Sequence, residues 1–233
     1  MEYELYPLGD SAVILEFGTE ITPRIQNKVQ LVSSFLEKNP PRWMIEFIPA
    51  FTTVTILYNP NSFKNKELPY EVVSTEVRNI LSKIESTDRI EHRLVEIPVC
   101  YGGELGPDLE YVANYNNLTP AEVIQIHTSE DYLVYMIGFA PGFPYIGGMS
   151  EKIATPRKAS PRLKIPARSV GIAGMQTGIY PIETPGGWQL IGRTPIELFQ
   201  PNAHPPSLLK AGDKIRFFQI SQEEYEKWEK EKS

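Results

Sequence analysis

The sequence predicts an α+β protein in two parts, a βαββαβ domain followed by a small β-barrel. Roughly the first ninety residues alternate short branched-aliphatic runs with two segments of helical periodicity. The run 135–199 contains too many Gly and Pro residues for long helices or uninterrupted strands. The same run is too aromatic and too aliphatic to be disordered. Short strands joined by tight turns are therefore the expected structure of the second part.

The first part reads as strand, helix, strand, strand, helix and strand. Strands are predicted over 11–17, 43–48, 52–58 and 89–99, where branched and aromatic residues lie between turn residues. The first helix begins at Thr22-Pro23, an N-cap followed by a first-turn proline, and the second runs over 70–84. This order is the split βαβ arrangement of a ferredoxin-like domain, which we place at residues 1–98. Such a fold supports many functions and decides none of them.

The second part begins at the turn Tyr101-Gly102-Gly103 and should form a closed or nearly closed barrel over residues 99–220. Thr119, Pro120 and Glu122 predict a short helix with a capping box. Strands are predicted over 131–137, 171–175, 178–182, 188–191 and 214–220. Residues 221–233 form a charged amphipathic tail, for which Ser221 and Glu224 predict a capped surface helix.

Composition limits the classes of protein that the chain can represent. Its 233 residues are 41% hydrophobic and 22% charged, as in an ordinary soluble protein, and its formal charge of −6 argues against a general nucleic-acid binder. Cys100 is the only cysteine, so no internal disulfide is possible and a reducing cytoplasm is expected. No apolar run approaches the length of a membrane span, and the N-terminal residues do not form a signal peptide. We therefore expect neither a nucleic acid nor a membrane among its partners.

Long motifs in the second part resemble one family specifically. They are GFAPGFPYIGG, the paired PRK and PR, SVGIAGMQTGIYP and TPGGWQLIGRTP. The chain resembles, over essentially its whole length, the family that includes the B subunit of 5-oxoprolinase (PxpB), the allophanate hydrolase subunit 1-like proteins and the sporulation-kinase inhibitor KipI. The resemblance implies a ferredoxin-like N-terminal domain and a cyclophilin-like β-barrel. One departure is Arg168, where a small residue is expected before Ser169.

Five cations lie close together in the second part of this acidic chain, and they are Arg157, Lys158, Arg162, Lys164 and Arg168. Arginine can bind a carboxylate or phosphate through two parallel hydrogen bonds. The segment therefore predicts either a site for an anionic ligand or a solvated basic loop. The resemblance favours Arg162 as the most important of the five, because it lies in the PR motif.

His127 is a candidate general acid or base because the pKa of an unperturbed histidine lies near neutrality, although a histidine at a helix end is also a common structural hydrogen-bonding group. The expected catalytic residues are His127 and Arg162. Further residues provide aromatic surface, amide-binding groups, a cation or close backbone approach for a substrate. These expected substrate-binding residues are Phe139, Gly142, Phe143, Arg157, Gln176, Tyr180, Trp188 and Gln189. Phe143 and Trp188 fit a barrel core equally well, and no metal site is expected.

The resemblance implies a subunit that acts with 5-oxoprolinase subunits A and C to open 5-oxo-L-proline to L-glutamate, and that is inactive alone. The reaction consumes ATP, although the sequence has no P-loop or other standard nucleotide motif. The alternative is a KipI-type inhibitor of a sporulation histidine kinase, controlled by an antagonist protein, and one chain can have both roles. Prolyl isomerase activity is not inferred, since it would rest on fold analogy alone.

Overall fold

The computed structural model describes residues 2–63, 68–84 and 92–231. The chain divides into two compact units between residues 91 and 92. The predicted domain boundary at residue 98 falls within a strand of the second unit, and the start of the predicted strand 89–99 lies outside the described residues.

The first unit is a four-stranded antiparallel sheet with two helices. Its strands are β1 (Glu4–Leu8), β2 (Ala12–Glu16), β3 (Met44–Pro49) and β4 (Thr53–Tyr58), and its helices are α1 (Pro23–Lys38) and α2 (Pro69–Lys83). A single 3₁₀ turn covers Pro60–Ser62. The strands are ordered β1-β2-β4-β3. Alternate residues of β2 and β4 and the apolar faces of both helices form one buried cluster, which includes Leu15, Leu36, Ile56 and Val77.

The predicted βαββαβ order of the first unit is corrected to ββαββα. Strand β1, which the sequence did not predict, pairs with β2 at the edge of the sheet. Most of its residues are exposed and it contains Pro7, so it lacks the apolar run that marks a strand. The predicted last strand is β5 (Leu94–Tyr101), and it belongs to the second unit because Ile97 and Val99 are buried in the core of the barrel.

The second unit contains a closed barrel of seven strands, which confirms the predicted barrel and fits a cyclophilin-like domain. The order around the barrel is β10-β7-β6-β13-β5-β12-β9, and β10 pairs with β9 to close it. Strands β5 and β13 are parallel, whereas the other neighbouring strands of the barrel are antiparallel. The barrel strands after β5 are β6 (Asp131–Ile137), β7 (Pro144–Gly147), β9 (Ser169–Ala173), β10 (Gln176–Ile179), β12 (Gln189–Arg193) and β13 (Lys214–Gln219).

The other elements of the second unit flank the barrel. Strands β8 (Arg162–Ile165) and β11 (Thr184–Gly186) form a separate two-stranded ribbon. Helices α3 (Leu109–Tyr115), α4 (Pro120–Thr128) and α5 (Gln222–Lys230) and a 3₁₀ turn (Glu151–Ile153) complete the unit. In the described parts of both units, no helix is both long enough and apolar enough to cross a bilayer.

The capping box of α4 permits a simple test of the fold. The Thr119 hydroxyl oxygen accepts a hydrogen bond from the Glu122 backbone N–H at 3.3 Å, and the Glu122 carboxylate accepts one from the Thr119 N–H at 2.7 Å. We expect Thr119→Ala to lower the free energy of unfolding by about 1 kcal/mol, because one orphan N–H of the helix loses its partner. Equilibrium urea unfolding measures this change. Thr75→Ala, in the middle of α2, is the control, and an equal loss in both variants would contradict the capping role.

Candidate functional site

A short loop after β5 places one buried carboxylate beside strand β12. The N–H of Gly106 donates to the carbonyl of Gly102 at 2.8 Å and closes the loop. A Cβ atom on Gly106 would lie 2.1 Å from the Ile191 carbonyl oxygen, so only glycine permits this close approach. The Asp108 N–H then donates to the Leu190 carbonyl at 2.8 Å, and the Asp108 carboxylate accepts from the Leu190 N–H at 2.7 Å. Asp108 is consequently fixed against the barrel.

Asp108 holds two of the five cations. Arg162 Nη2 lies 2.8 Å from Asp108 Oδ1, and Lys158 Nζ lies 3.3 Å from the same oxygen. Burial alone would raise the pKa of Asp108, but hydrogen bonds from Arg162, from the Leu190 N–H and from Lys158 outweigh it and lower the pKa. The carboxylate is therefore ionised, and it orients two side chains that remain about one quarter and one third exposed, at 25% and 32%.

The remaining cations have different environments. Lys164 pairs with Glu183 at the surface, with 3.1 Å between Nζ and Oε1. Arg168 has a φ of +71° and donates to both carboxylate oxygens of Glu229 on α5, so its charge is directed away from Asp108. Arg157 is exposed and has no hydrogen bond or ion pair to any described residue. The basic segment is thus divided among separate partners, and Arg157 is its free cation.

The charges near Asp108 leave a positive surplus. Arg162 and Lys158 together face one carboxylate, which leaves one net positive charge. Arg157 adds a second, and the Tyr180 phenol senses the charges of both Arg157 and Arg162. These cations therefore form one region that favours an anionic ligand.

Five aromatic side chains form a separate cluster next to these cations. Phe143 lies at its centre, with edge-to-face contacts whose ring centroids are 5.3–5.9 Å apart. Its partners are Phe139, Tyr145, Tyr180 and Trp188. The cluster is joined by Ile165, Ala173 and Leu190 rather than by the barrel core.

Burial divides the members of this cluster by what they can contact. Phe143, Tyr180 and Trp188 are buried, so they support the site from beneath instead of forming an open cleft. Burial raises the pKa of Tyr180 to about 12, although Arg157, the Trp188 backbone N–H and Arg162 act in the opposite direction. Phe139 is 70% exposed and is the aromatic residue of this cluster that is most available to a ligand.

A tight turn presents Phe139 to solvent. Phe139 has a φ of +67°, and the Ala140 N–H donates to the Gly138 carbonyl at 2.8 Å, which is the hydrogen bond of a γ-turn. Positive φ is costly for a bulky residue and often occurs at functional sites. Gly142 follows with a φ of +76°, and a Cβ there would lie 2.8 Å from Phe199 Cβ. The glycine is thus required for the turn, not for direct access of a ligand.

The other predicted substrate-binding residues are less exposed to a ligand. Gln189 is buried and donates through Nε2 to the Pro156 carbonyl at 2.9 Å, next to Arg157 in the sequence. Gln176 is half-buried at the start of β10. The structure therefore brings together Arg157, Arg162, Phe139, Phe143, Tyr180 and Trp188. Within the described part of the chain, Gln176 has no hydrogen bond to any of them.

His127 lies apart, inside the barrel core. Its Nδ1 is 2.8 Å from the Tyr101 hydroxyl and its Nε2 is 2.8 Å from the Thr177 hydroxyl. The Thr177 hydroxyl also donates to the Gly171 carbonyl at 3.2 Å, so its oxygen accepts the Nε2–H, and Nδ1 accepts from Tyr101. Burial lowers the pKa of His127 to about 3. Its role as an acid or base stays a prediction, but both ring nitrogens are occupied and the ring is neutral at physiological pH.

Asp108 is the residue of this site that sequence reasoning missed. Its signal was present as an acidic residue ending the turn-rich run Gly102–Asp108, but its partners Lys158 and Arg162 lie 50 and 54 residues away. Within the described residues, no group of three or more His, Cys, Asp and Glu side chains is arranged to hold a metal ion.

Comparisons with known proteins agree with this architecture. The family model described as carboxyltransferase domain, subdomain C and D, matches residues 3–209. The chain is 50% identical to the B subunit of 5-oxoprolinase from Bacillus subtilis, over 99% of this chain and 98% of that protein. It is 41% identical to the corresponding 5-oxoprolinase B subunit of Escherichia coli O157:H7, over 91% and 94% of the two chains. A conserved uncharacterized protein from Pyrococcus horikoshii, whose crystal structure is solved, shows 44% identity and a TM-score of 0.56, covering 95% of this chain and all of that one.

Proposed function

Because the chain belongs to the carboxyltransferase subdomain C and D family, and within it to the B subunits of 5-oxoprolinase, we propose that it is one subunit of an ATP-dependent 5-oxoprolinase. The enzyme opens the lactam ring of 5-oxo-L-proline to give L-glutamate. The observation that carries this proposal is the 50% identity to the Bacillus subtilis protein, which extends over nearly all of both chains. Identity of this extent includes the junction that contains Asp108 as well as the motifs of the barrel.

The cations near Asp108 are the residues that we assign to substrate binding. 5-Oxoproline carries one carboxylate, and a guanidinium group can bind a carboxylate through two parallel hydrogen bonds. Arg157 is unpaired among the described residues, and Arg162 is about one quarter exposed, so both can meet that carboxylate. Asp108 acts as a positioning residue because it orients Arg162 and Lys158 without meeting the substrate itself.

The exposed ring of Phe139 and the turn that carries it supply the apolar side of the proposed site. The substrate has a flat five-membered ring with apolar methylene groups, which favours contact with an aromatic face. The buried rings of Phe143 and Tyr180 fix the position of Phe139 and of the neighbouring guanidinium groups. The site therefore orients the substrate by its charged end and its ring together.

Partner subunits must supply the rest of the reaction. A lactam is stabilised by amide resonance, and ATP supplies chemistry that activates the amide oxygen as a leaving group. We assign no nucleotide site to this chain, since its sequence contains no P-loop and its exposed cations are already assigned to the substrate. We propose subunits A and C as partners and the cytoplasm as the compartment. Inhibition of a histidine kinase stays a prediction, because no contact in the described residues favours it.

Glutamate formation from 5-oxo-L-proline and ATP tests the proposal. We expect no turnover by this chain alone and turnover when it is mixed with subunits A and C from the same source. The Bacillus subtilis homologue, added in place of this chain, is the positive control for the other two subunits. If that control is active while this chain supports no turnover in any mixture, the proposed function is wrong.

A further inference from the structure

A second cleft opens where the chain leaves the parallel pair of barrel strands. Strands β5 and β13 run side by side, with Val99 opposite Gln219. The chain leaves β5 through Gly102 and Gly103, which have φ values of +74° and +54°, whereas it leaves β13 into helix α5. Because the two connections diverge from adjacent parallel ends, a crevice remains between them, as at the carboxyl ends of parallel strands in other folds. The cleft has a volume of about 690 Å³, in the range of small-molecule sites.

The lining of this cleft is acidic at its polar part. Twelve residues line it; Glu104 and Glu226 are carboxylates, and none of the twelve is Lys or Arg. Its apolar part includes Cys100, Leu105 and Ile220, which pack with the ring of Tyr225 in one small cluster. Such a surface combines a preference for positive charge with a place for methylene groups.

Tyr225 provides an independent sign of a ligand site. Its side chain lines the cleft and is 6% exposed, yet its hydroxyl oxygen has no hydrogen-bond partner among the described residues. Arg168 and Arg193 act on this phenol from outside, since neither of them lines the cleft. A buried hydroxyl without a partner is unfavourable and unusual, and a ligand that binds beside it would satisfy it. The cleft thus contains acidic groups and one unsatisfied polar atom that could act as an acceptor.

We propose that this cleft binds a ligand with a primary alkylammonium group. An ammonium group has three N–H donors and no acceptor, so Glu104, Glu226 and the Tyr225 oxygen match it in number and kind. The methylene chain of the ligand lies against Leu105 and Ile220. A free amine and a lysine side chain of another protein share this chemistry. The proposal does not depend on the proposed enzymatic function, because the cleft lies outside the site at Asp108.

Titration of the full chain with two probes tests the proposal, with binding followed by amide chemical shifts in the absence of substrate and ATP. n-Butylammonium represents a free amine, and the capped peptide Ala-Ala-Lys-Ala-Ala represents a protein lysine. We expect saturable one-to-one binding of at least one probe, with shifts centred on residues 100–105 and 219–226. Tighter binding of the peptide indicates a protein partner, and equal or tighter binding of the amine indicates a small molecule. n-Butanol, which has the same chain without the charge, should not bind.

Three variants make the test decisive. Glu104→Gln and Glu226→Gln should each weaken binding about tenfold, whereas the matched control Glu110→Gln, on the exposed side of α3, should leave it unchanged. Tyr225→Phe should weaken binding several-fold without lowering the unfolding temperature of the free protein, since its hydroxyl has no partner to lose. Absence of saturable binding by both probes, or binding that the two Glu→Gln variants do not weaken, would overturn the proposal. Either result leaves the glutamate-formation assay unaffected.

Discussion

Replacing Arg162 by alanine should lower kcat/KM of the assembled 5-oxoprolinase roughly ten- to a hundredfold. A hydrogen bond between charged groups contributes about 1.5–3 kcal/mol, and each 1.36 kcal/mol corresponds to a factor of ten in rate. Arg162 is the cation that Asp108 holds at 2.8 Å while part of its side chain remains exposed. Steady-state glutamate formation at several concentrations of 5-oxoproline measures the effect, and a change mainly in KM would indicate binding of the ground state.

Two further variants separate the specific role of Arg162 from general charge. Arg162→Lys keeps the charge but loses the planar pair of donors, so it should recover only part of the activity. Lys164→Ala removes a neighbouring cation whose partner is the exposed Glu183, and it should have activity within about twofold of the parent. The unfolding temperature of each variant confirms that the protein is folded. Full activity of Arg162→Ala, or an equal loss in Lys164→Ala, would contradict the assignment.

Local signals in the sequence predicted the local structure well. The capping boxes at Thr119 and Ser221 depend on residues three positions apart, and both are present as predicted. Strand β6 begins at Asp131 and ends at Ile137 as predicted, because an apolar run leads directly into a turn. Such features are decided by neighbouring residues, so a single sequence is sufficient for them.

Long-range pairing was harder to predict. The run that forms β5 has the same local pattern whether it joins the first sheet or the barrel, and only its pairing with β12 and β13 decides. Strand β1 was missed because edge strands need few apolar residues. Asp108 was missed for the same kind of reason, since its partner Arg162 is distant in sequence. Aromatic residues were correctly expected near one another, but the sequence did not distinguish the exposed Phe139 from the buried Phe143.

Replacing His127 by alanine should lower the free energy of unfolding by about 2–5 kcal/mol. The change leaves a cavity in the barrel core, and it removes the partners of two buried hydroxyls, those of Tyr101 and Thr177. His127→Gln can keep the donor to Thr177 and His127→Asn can keep the acceptor for Tyr101, so each should lose less stability than alanine. His204→Ala is the exposed control and should change stability by less than about 0.5 kcal/mol. Urea unfolding at pH 7 measures all four variants.

The same variants decide between a structural and a catalytic His127. If the residue is structural, His127→Gln in the assembled enzyme should retain activity within a few-fold per folded molecule. A general acid or base contributes about 10²–10⁴-fold, so a loss of that size in a variant with a near-native unfolding temperature would establish the catalytic role instead. The burial of the ring and the use of both nitrogens favour the structural outcome.

The pH dependence of stability gives an independent measure of the buried ring. The pKa of His127 is about 3 in the folded protein, and an unperturbed histidine has a pKa of about 6.5. Between these values the unfolded state binds more protons, so this contribution to stability is complete above about pH 6.5 and declines as the pH falls towards 3. The parent protein should therefore lose up to about 1.4 kcal/mol per pH unit relative to His127→Gln in this window. Urea unfolding of both proteins at pH 7, 6 and 5 isolates this contribution, because their other titrating groups are the same. Parallel curves would show that His127 is protonated as readily in the folded protein as in the unfolded chain.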